Sequence, residues 1–250
     1  MVIFYLGSED KIESFLVIKP VVAFSFGGRS SRLTSNGGPG DSFSFSALKN
    51  CGRDDDDICD ATDYKKNLYR LDAGKNVLDS NYEIIKGNYV HKTAIIDWDN
   101  LTIGEENIFG PMAVIGGSAQ HKYYESSGKI QIGNKNVFSE FSVVSRPTIM
   151  TKKTIIADGN YFMSNSVIHH DCKVENNTIV CSNASVAGSV TLMNGVYLGQ
   201  NSSVHQFQIL GSYSILGMNS CVTKKIKIFP GRKYVGVPCR DIGENKIGLD

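Results

Sequence analysis

His169, His170, Asp171 and Cys172 stand side by side in the stretch NSVIHHDCKVEN. Side chains of these types serve either as ligands of one metal ion or as an imidazole base beside a carboxylate. Consecutive residues on an extended chain point to opposite sides in alternation, so four in a row do not converge on one ion without a sharp distortion. No metal is expected here. A histidine acting as a general base is the stronger alternative, provided that something brings it a fixed hydrogen-bond donor. That donor has to come from elsewhere in the chain, through whatever element repeats around the histidine.

A repeat is present. From Ile156 a bulky apolar residue recurs every six positions: Phe162, Ile168, Val174, Val180, Val186, Leu192, Leu198, Val204, Leu210, Leu216 and Val222. Four residues into the hexads stand small or branched side chains, among them Ser166, Cys172, Thr178, Ala184, Val190, Val196, Ser202, Ser214 and Ser220. Neither helical periodicity nor simple alternation gives a six-residue beat, whereas short strands joined by tight corners around a prism do. The pattern predicts a mainly β chain folded as a parallel β-helix of hexapeptide repeats. Both recurrent slots face inward, and about 18 residues close each three-sided coil. Asn176, Asn177, Asn194, Gly195 and Asn201 suit corners that need positive φ. The beat also runs through Ile103, Phe109 and Ile115 and through Ile132, Phe138 and Val144. It is broken at SAQHKYYESSGKIQ and RPTIMTKKT, two excursions of the kind that carry binding surfaces.

With this period, spacing becomes geometry, because residues 18 apart lie on neighbouring coils about 4.8 Å apart. The partner of His170 is then Gly188, followed by Gln206, with His205 beside it at about 10 Å from His170. An imidazole base next to a backbone N–H that a glycine leaves bare suits acyl transfer, in which the base takes a proton from the attacking group and the N–H stabilises the oxyanion. The competing reading makes His170 and His205 solvated edge residues and Gly188 a relaxed corner. Cys172 falls in an inward slot, where an inert buried thiol is expected.

Gln120, His121, Lys122, Tyr123 and Tyr124 stand in the first excursion, where the lysine and tyrosines offer groups for a sugar or phosphate, or belong to an ordinary solvated loop. Lys224, Lys225, Lys227, Arg232, Lys233 and Arg240 gather near the carboxy terminus. Such a basic rim suits the phosphates of coenzyme A or an acidic carrier protein, and equally a solubilising edge. VAFSFGGRSSRL has a strand-then-glycine look but lacks GK[ST] and GxGxxG, so it matches neither standard phosphate loop and reads as a linker.

The 250 residues carry 26 basic and 25 acidic side chains, a formal net charge of +1. That balance gives no global reason to bind nucleic acid or a membrane surface. The amino terminus interrupts its apolar residues with Glu9, Asp10 and Glu13, which argues against a signal peptide, and no apolar run approaches the roughly 20 residues of a membrane span. The six cysteines form no CxxC pair, which fits a reducing cytoplasm. Residues 1–88 lack the six-residue beat and read as a small α/β domain or extension, with DATDYKKNLYRLDAGKNVLDS partly helical. The coiled domain takes residues 89–250, its coils ending near Val237 in a basic tail.

The stretches SVIHHDCKVENN, SNASVAGSVTL, GQNSSVHQFQILG and the terminal YVGVP and IGENKIGL, with the loop IGGSAQHKYY, together resemble the UDP-N-acetylglucosamine acyltransferase family, which begins lipid A synthesis. The resemblance covers about Val90 to Leu249. It implies a left-handed β-helix, a homotrimer with active sites between subunits, a cytoplasmic setting in surface-glycan synthesis, and no bound cofactor. It implies that His170 is the base, that Asp171 orients it, and that Gly188 supplies the oxyanion N–H. His205 and Gln206 would line the substrate cleft, with Gln120, Lys122 and Ser189 as further substrate contacts. Val167 and Ser189 stand where the family has histidines, a departure that bears on the particular sugar. Met218 stands where the family limits acyl-chain length, and its bulk implies a short or medium chain. The activity implied is transfer of an acyl group from acyl-CoA or acyl carrier protein to a hydroxyl or amine of a nucleotide-linked sugar. A nucleotide amino-sugar N-acetyltransferase using acetyl-CoA fits some of the departures, and a noncatalytic sugar-binding scaffold is the alternative of another class.

Overall fold

The computed structural model describes residues 69–72 and 75–246. Among these the chain is nearly all strand: three parallel sheets form the faces of a left-handed prism. The first face stacks two-residue strands such as Ile108–Phe109, Val137–Phe138, Tyr161–Phe162 and Ile179–Val180. The second carries Val143–Ser145, Val167–Ile168, Ser185–Val186 and Ser203–Val204. The third carries Lys153–Ile156, Lys173–Val174, Thr191–Leu192 and Ile209–Leu210. The register is 18 residues wherever the beat is unbroken: Val167 pairs with Ser185 and Lys173 with Thr191.

Every hexad-leading residue from Ile156 to Val222 is 2% exposed or less. Inside the prism identical slots meet from coil to coil, and Phe109, Phe138 and Phe162 stack with ring centroids 5.0 and 4.9 Å apart. Burying a side chain of this kind stabilises by about 1.5–3 kcal/mol, so the column supplies most of what holds two-residue strands in place. Antiparallel strands close both ends of the first face. Tyr82–Ile85 pairs with Asn88–His91, and Arg240–Glu244 pairs with Arg232–Val235. The caps cover the outermost parallel strands of this face, whereas the second and third faces end on parallel strands. On the outer side of the first face Tyr89, Ile108 and Val137 are buried in a second cluster with Leu78 and Tyr82.

The three corners differ. Between the third and first faces runs a ladder of buried asparagines. Asn88 Oδ1 accepts from Asn107, Asn107 Oδ1 from Asn136, Asn136 Oδ1 from Asn160, and Asn160 Oδ1 from the Thr178 N–H, all at 2.8–3.0 Å. Each amide satisfies a backbone N–H that the corner would otherwise bury unpaired. Left-handed φ recurs at Asn165, Asp171, Asn177, Asn183, Ser189, Gly195 and Asn201. Of the corner residues expected to need it, Asn177, Gly195 and Asn201 do. Asn176 and Asn194 instead form a second amide ladder, with Asn194 Oδ1 accepting from the Asn176 N–H at 3.1 Å.

The partial helix expected in DATDYKKNLYRLDAGKNVLDS is a point of correction: the described part of that stretch, from Tyr69 on, contains no helix. Tyr69–Asp72 and Lys75–Leu78 are antiparallel strands with Asp72 opposite Lys75. Their short alternating runs, with only Ala73 and Gly74 between them, favour a hairpin over a helix. The remainder of the α/β extension and the stretch VAFSFGGRSSRL, within residues 1–68, lie outside the described residues.

Candidate active site

The interruptions of the six-residue beat lie on the corner between the second and third faces. The turn Trp98–Asn100 sits there. So does the first excursion, which leaves after Val114–Gly117 and returns at Lys129–Ile132. The second leaves after Val143–Ser145 and returns at Lys153–Ile156. Residues 169–172 form the same corner one coil later, between Val167–Ile168 and Lys173–Val174. Both insertions therefore stand at the histidine's own edge, on the coils before it.

Asp171 has φ +62°, a conformation in which its carboxylate folds against its neighbour's ring. His170 Nδ1 lies 2.8 Å from Asp171 Oδ2. An ionised carboxylate only accepts, so Nδ1 carries the hydrogen and Nε2 keeps its lone pair. The imidazole is 12% exposed and the carboxylate 1%, so part of the ring reaches solvent while the acid is sealed. The second excursion does the sealing. Thr148 donates to Asp171 through its N–H at 3.0 Å and its hydroxyl at 2.7 Å, and the Thr151 hydroxyl adds a short hydrogen bond. The Asp171 N–H in turn donates to Thr154 Oγ1 at 3.0 Å. Burial acts to raise the Asp171 pKa, but the hydrogen bonds from Thr151, Thr148 and His170 outweigh it and hold the carboxyl below its ordinary value.

Gly188 lies against this ring. A Cβ built on it would stand 2.4 Å from His170 Cε1 and 2.7 Å from Nε2. Its φ is not left-handed, so the glycine is required by the room the imidazole occupies and not by the turn. The Ala187 and Ser189 N–H groups bond to Val204 and His170 carbonyls at 3.0 and 2.9 Å. Among the described residues, none of the hydrogen bonds uses the N–H of Gly188.

The other expected residues divide. Ser189 lies beside Gly188 with φ +60°. Gln206 stands one coil above Gly188, and His205 above Ala187, with His205 Nδ1 3.1 Å from Gln206 O; both are exposed. Gln120 and Lys122 are exposed in the first excursion, where Lys122 Nζ lies 5.3 Å from the Tyr123 ring centre. Lys122, Tyr124 and Arg146 line a cleft of about 530 Å³. Met218 is 67% exposed but sits between Ile215–Leu216 and Cys221–Val222, a different corner from that of His170. Cys172 points inward, its Sγ 3.2 Å from Ala187 O, and burial pushes its thiol up to about 12, so it stays protonated and inert near neutral pH. Among the described residues no three His, Cys, Asp or Glu side chains converge as metal ligands would. The same residues contain no helix long and apolar enough to cross a membrane.

The sequence does not single out Thr148, Thr151 and Thr154, although all three stand in the excursion RPTIMTKKT. His121 was noted only as a loop residue. The structure places its ring 5.3 Å from that of His170, at 85° to it.

No family model matches the chain. It is 38% identical over 129 residues to the acyl-[acyl-carrier-protein]–UDP-N-acetylglucosamine O-acyltransferase of Burkholderia orbicola, covering 51% of this chain and 49% of that one. The match to the protein of the same name from Verminephrobacter eiseniae is 33% over 150 residues, covering 59% and 56%. The chain thus spans about half the length of the curated relatives it matches. Among solved structures it is similar to the UDP-N-acetylglucosamine acyltransferase of Bacteroides fragilis, with a TM-score of 0.61, 27% identity and coverage of 65% and 63%. The Arabidopsis enzyme of that name gives 0.59 and 26%, covering 66% and 64%.

Proposed function

We propose that this chain, whose coils belong with those of the UDP-N-acetylglucosamine acyltransferases, transfers an acyl group from a thioester to a nucleotide-linked sugar. The observation that carries the reading is the His170 ring laid over Gly188 with Nδ1 tied to a sealed carboxylate. His170 Nε2 takes the proton of the attacking sugar hydroxyl as its oxygen bonds to the thioester carbonyl carbon. The Gly188 N–H stabilises the oxyanion, the C–S bond breaks, and His170 returns its proton to the leaving thiolate. Asp171 keeps the ring in the tautomer this requires and stabilises the imidazolium between the two transfers. Gln120, Lys122, Ser189, His205 and Gln206 contact substrate.

The relatives' names supply an acyl carrier protein as donor and UDP-N-acetylglucosamine as acceptor for those proteins, and we adopt both for this chain, with acyl-CoA as the competing donor. No bound cofactor or metal enters the steps. Met218 can limit the acyl chain only from an adjoining subunit, because it stands on another corner of its own coil. That placement supports a homotrimer with the site between subunits. So do Ile149, Met150 and Phe207, apolar and more than half exposed on the base's own edge. We place the enzyme in the cytoplasm, in synthesis of a surface glycan, with residues 89–250 as its acyltransferase domain and residues 1–88 as an amino-terminal region whose last strand, Tyr82–Ile85, pairs onto the coils.

Mass spectrometry of reactions containing UDP-N-acetylglucosamine and carrier-protein or CoA thioesters of graded length tests the reading. The expected product is the nucleotide sugar plus one acyl group, for short or medium chains. No acylated sugar from any donor would refute it.

A further inference from the structure

The Asp171 carboxylate has no acceptor site to spare. Its Oδ2 accepts from the Thr148 hydroxyl at 2.7 Å and lies 2.8 Å from His170 Nδ1, while its Oδ1 accepts from the Thr148 N–H at 3.0 Å and from the Thr151 hydroxyl. Two carboxylate oxygens offer about four lone-pair sites, so three donors of the second excursion and one of the ring fill them all. The hydroxyl hydrogens are aimed by the excursion itself. Thr148 Oγ1 accepts from the Met150 N–H at 3.2 Å and Thr151 Oγ1 from the Lys153 N–H at 3.3 Å, which turns each hydroxyl hydrogen toward the acid. The Lys153 carbonyl oxygen, 3.0 Å from Thr151 Oγ1, is a weaker acceptor for that hydrogen than an ionised carboxylate. The excursion is anchored in turn: the Ile149 N–H donates to Glu125 O at 3.1 Å and the Lys152 N–H to Thr148 O at 2.9 Å. His169 and His205, further imidazoles of this corner, make no hydrogen bond to Asp171 among the described residues. The threonines alone share the acid with His170.

We propose that Thr148 and Thr151 are positioning residues for the acyl transfer, holding the Asp171 carboxylate in the one orientation that keeps the His170 ring hydrogen on Nδ1 and leaves Nε2 free to take a proton. They act through Asp171 and touch no substrate. Without their hydroxyls the carboxylate can turn, and with fewer donors it becomes more basic, so the imidazole loses its single tautomer. The kinetic consequence rests on the acyl-transfer reading, and the tautomer does not.

Two double variants of the full chain separate the hydroxyls from the space they fill. Thr148→Val with Thr151→Val removes both hydroxyl hydrogens at nearly constant volume, and Thr148→Ser with Thr151→Ser keeps them. Nitrogen-15 spectra of histidine-labelled protein, taken with the rings neutral and with His170→Gln identifying the signals, read the tautomer. The native protein and the serine pair should show a protonated Nδ1 and a bare Nε2 at His170, and the valine pair a mixture of both tautomers. With UDP-N-acetylglucosamine and an acyl carrier protein thioester, kcat of the valine pair should fall by about tenfold or more, the scale of hydrogen bonds to a charged group. KM for both substrates should hold, as for a group that acts on the reacting base and not on binding, and the serine pair should keep most of the native kcat. Should the valine pair not fold, Thr151→Val alone, at an exposed position, carries the test with a smaller fall of about threefold. A native tautomer or a native kcat in the valine variant overturns the inference, and so does a serine pair no better than the valine pair. A native protein that forms no acylated sugar refutes the acyl-transfer reading instead, and the tautomer then decides by itself whether the threonines position the ring.

Discussion

Two corners of the same prism are built on opposite plans. At the asparagine corner one residue type repeats through four coils, each amide bonded to the next and 1% exposed or less. At the base's corner no coil repeats its neighbour: His170 is followed by Gly188 and Gln206, and Asp171 by Ser189 and Phe207. Repetition satisfies the backbone, and each equivalent N–H meets an equivalent acceptor. Departure from repetition leaves a Gly188 N–H unused and a His170 lone pair exposed, which is what a reaction site needs and a scaffold does not. The difference teaches where stability and chemistry are divided in a solenoid: both insertions are spent on the irregular corner, and the regular one carries the coils.

The comparison breaks most visibly at Gly188. Gly188→Ala puts a methyl group where the His170 ring lies and displaces the imidazole, so kcat/KM should fall by about a thousandfold or more, within the range for loss of a general base. The thermal midpoint should hold, because the backbone there is not left-handed. Retained activity would show that the ring is not the base. Asp171→Asn comes next. An amide facing Nδ1 favours the wrong tautomer, and turnover should drop by about a hundredfold with the coil intact.

At the asparagine corner the effects reverse. Asn136→Ala strands the Asn160 N–H and the Asn160 side-chain Nδ2–H, both of which Asn136 Oδ1 now accepts, while the residue-136 N–H keeps its bond to Asn107 Oδ1. It should cost about 2–3 kcal/mol of stability, read by denaturant unfolding, with turnover per folded molecule unchanged. Lost turnover at full stability would mean that the two corners are not divided as described.

The smallest effects concern pH. Asp171 is held below its ordinary carboxyl value when folded, so its stabilising contribution is full above the unfolded value of 3.8 and is lost as pH falls through the folded one. His169 is lowered too, by burial and then by the neighbouring His170. A histidine kept neutral by folding contributes stability above its unfolded value of 6.5 that is lost as pH falls below it. His169→Gln should flatten the stability profile just below that pH, and Asp171→Asn should flatten it only near and below 3.8. Identical profiles for both variants and the native protein would remove these two groups from the acid response.

The coils were legible because two-residue strands must bury one side chain per hexad. That requirement prints a beat from Ile156 to Val222, and the stacking of His170 on Gly188 follows from it by counting. The residues that complete the site were not legible, for a physical reason. The first excursion stretches the register so that Asn107 meets Asn136, 29 residues on, and the second so that Asn136 meets Asn160, 24 residues on, in place of 18. Within the insertions no period says which side chain returns to the edge. Thr148 reaching Asp171 and His121 reaching His170 are visible only in three dimensions. The hairpin at Tyr69–Leu78 escaped for a different reason: strands of four residues are too short for alternation to be told from a helical face.

The central claim is that His170 is the base of an acyl transfer. Its most direct test compares native protein and His170→Ala, with UDP-N-acetylglucosamine and an acyl carrier protein thioester, by the rate of acylated-sugar formation under single-turnover conditions. The account predicts a fall of at least about a hundredfold with the oligomer and thermal midpoint unchanged. Equal rates in the two proteins would contradict it.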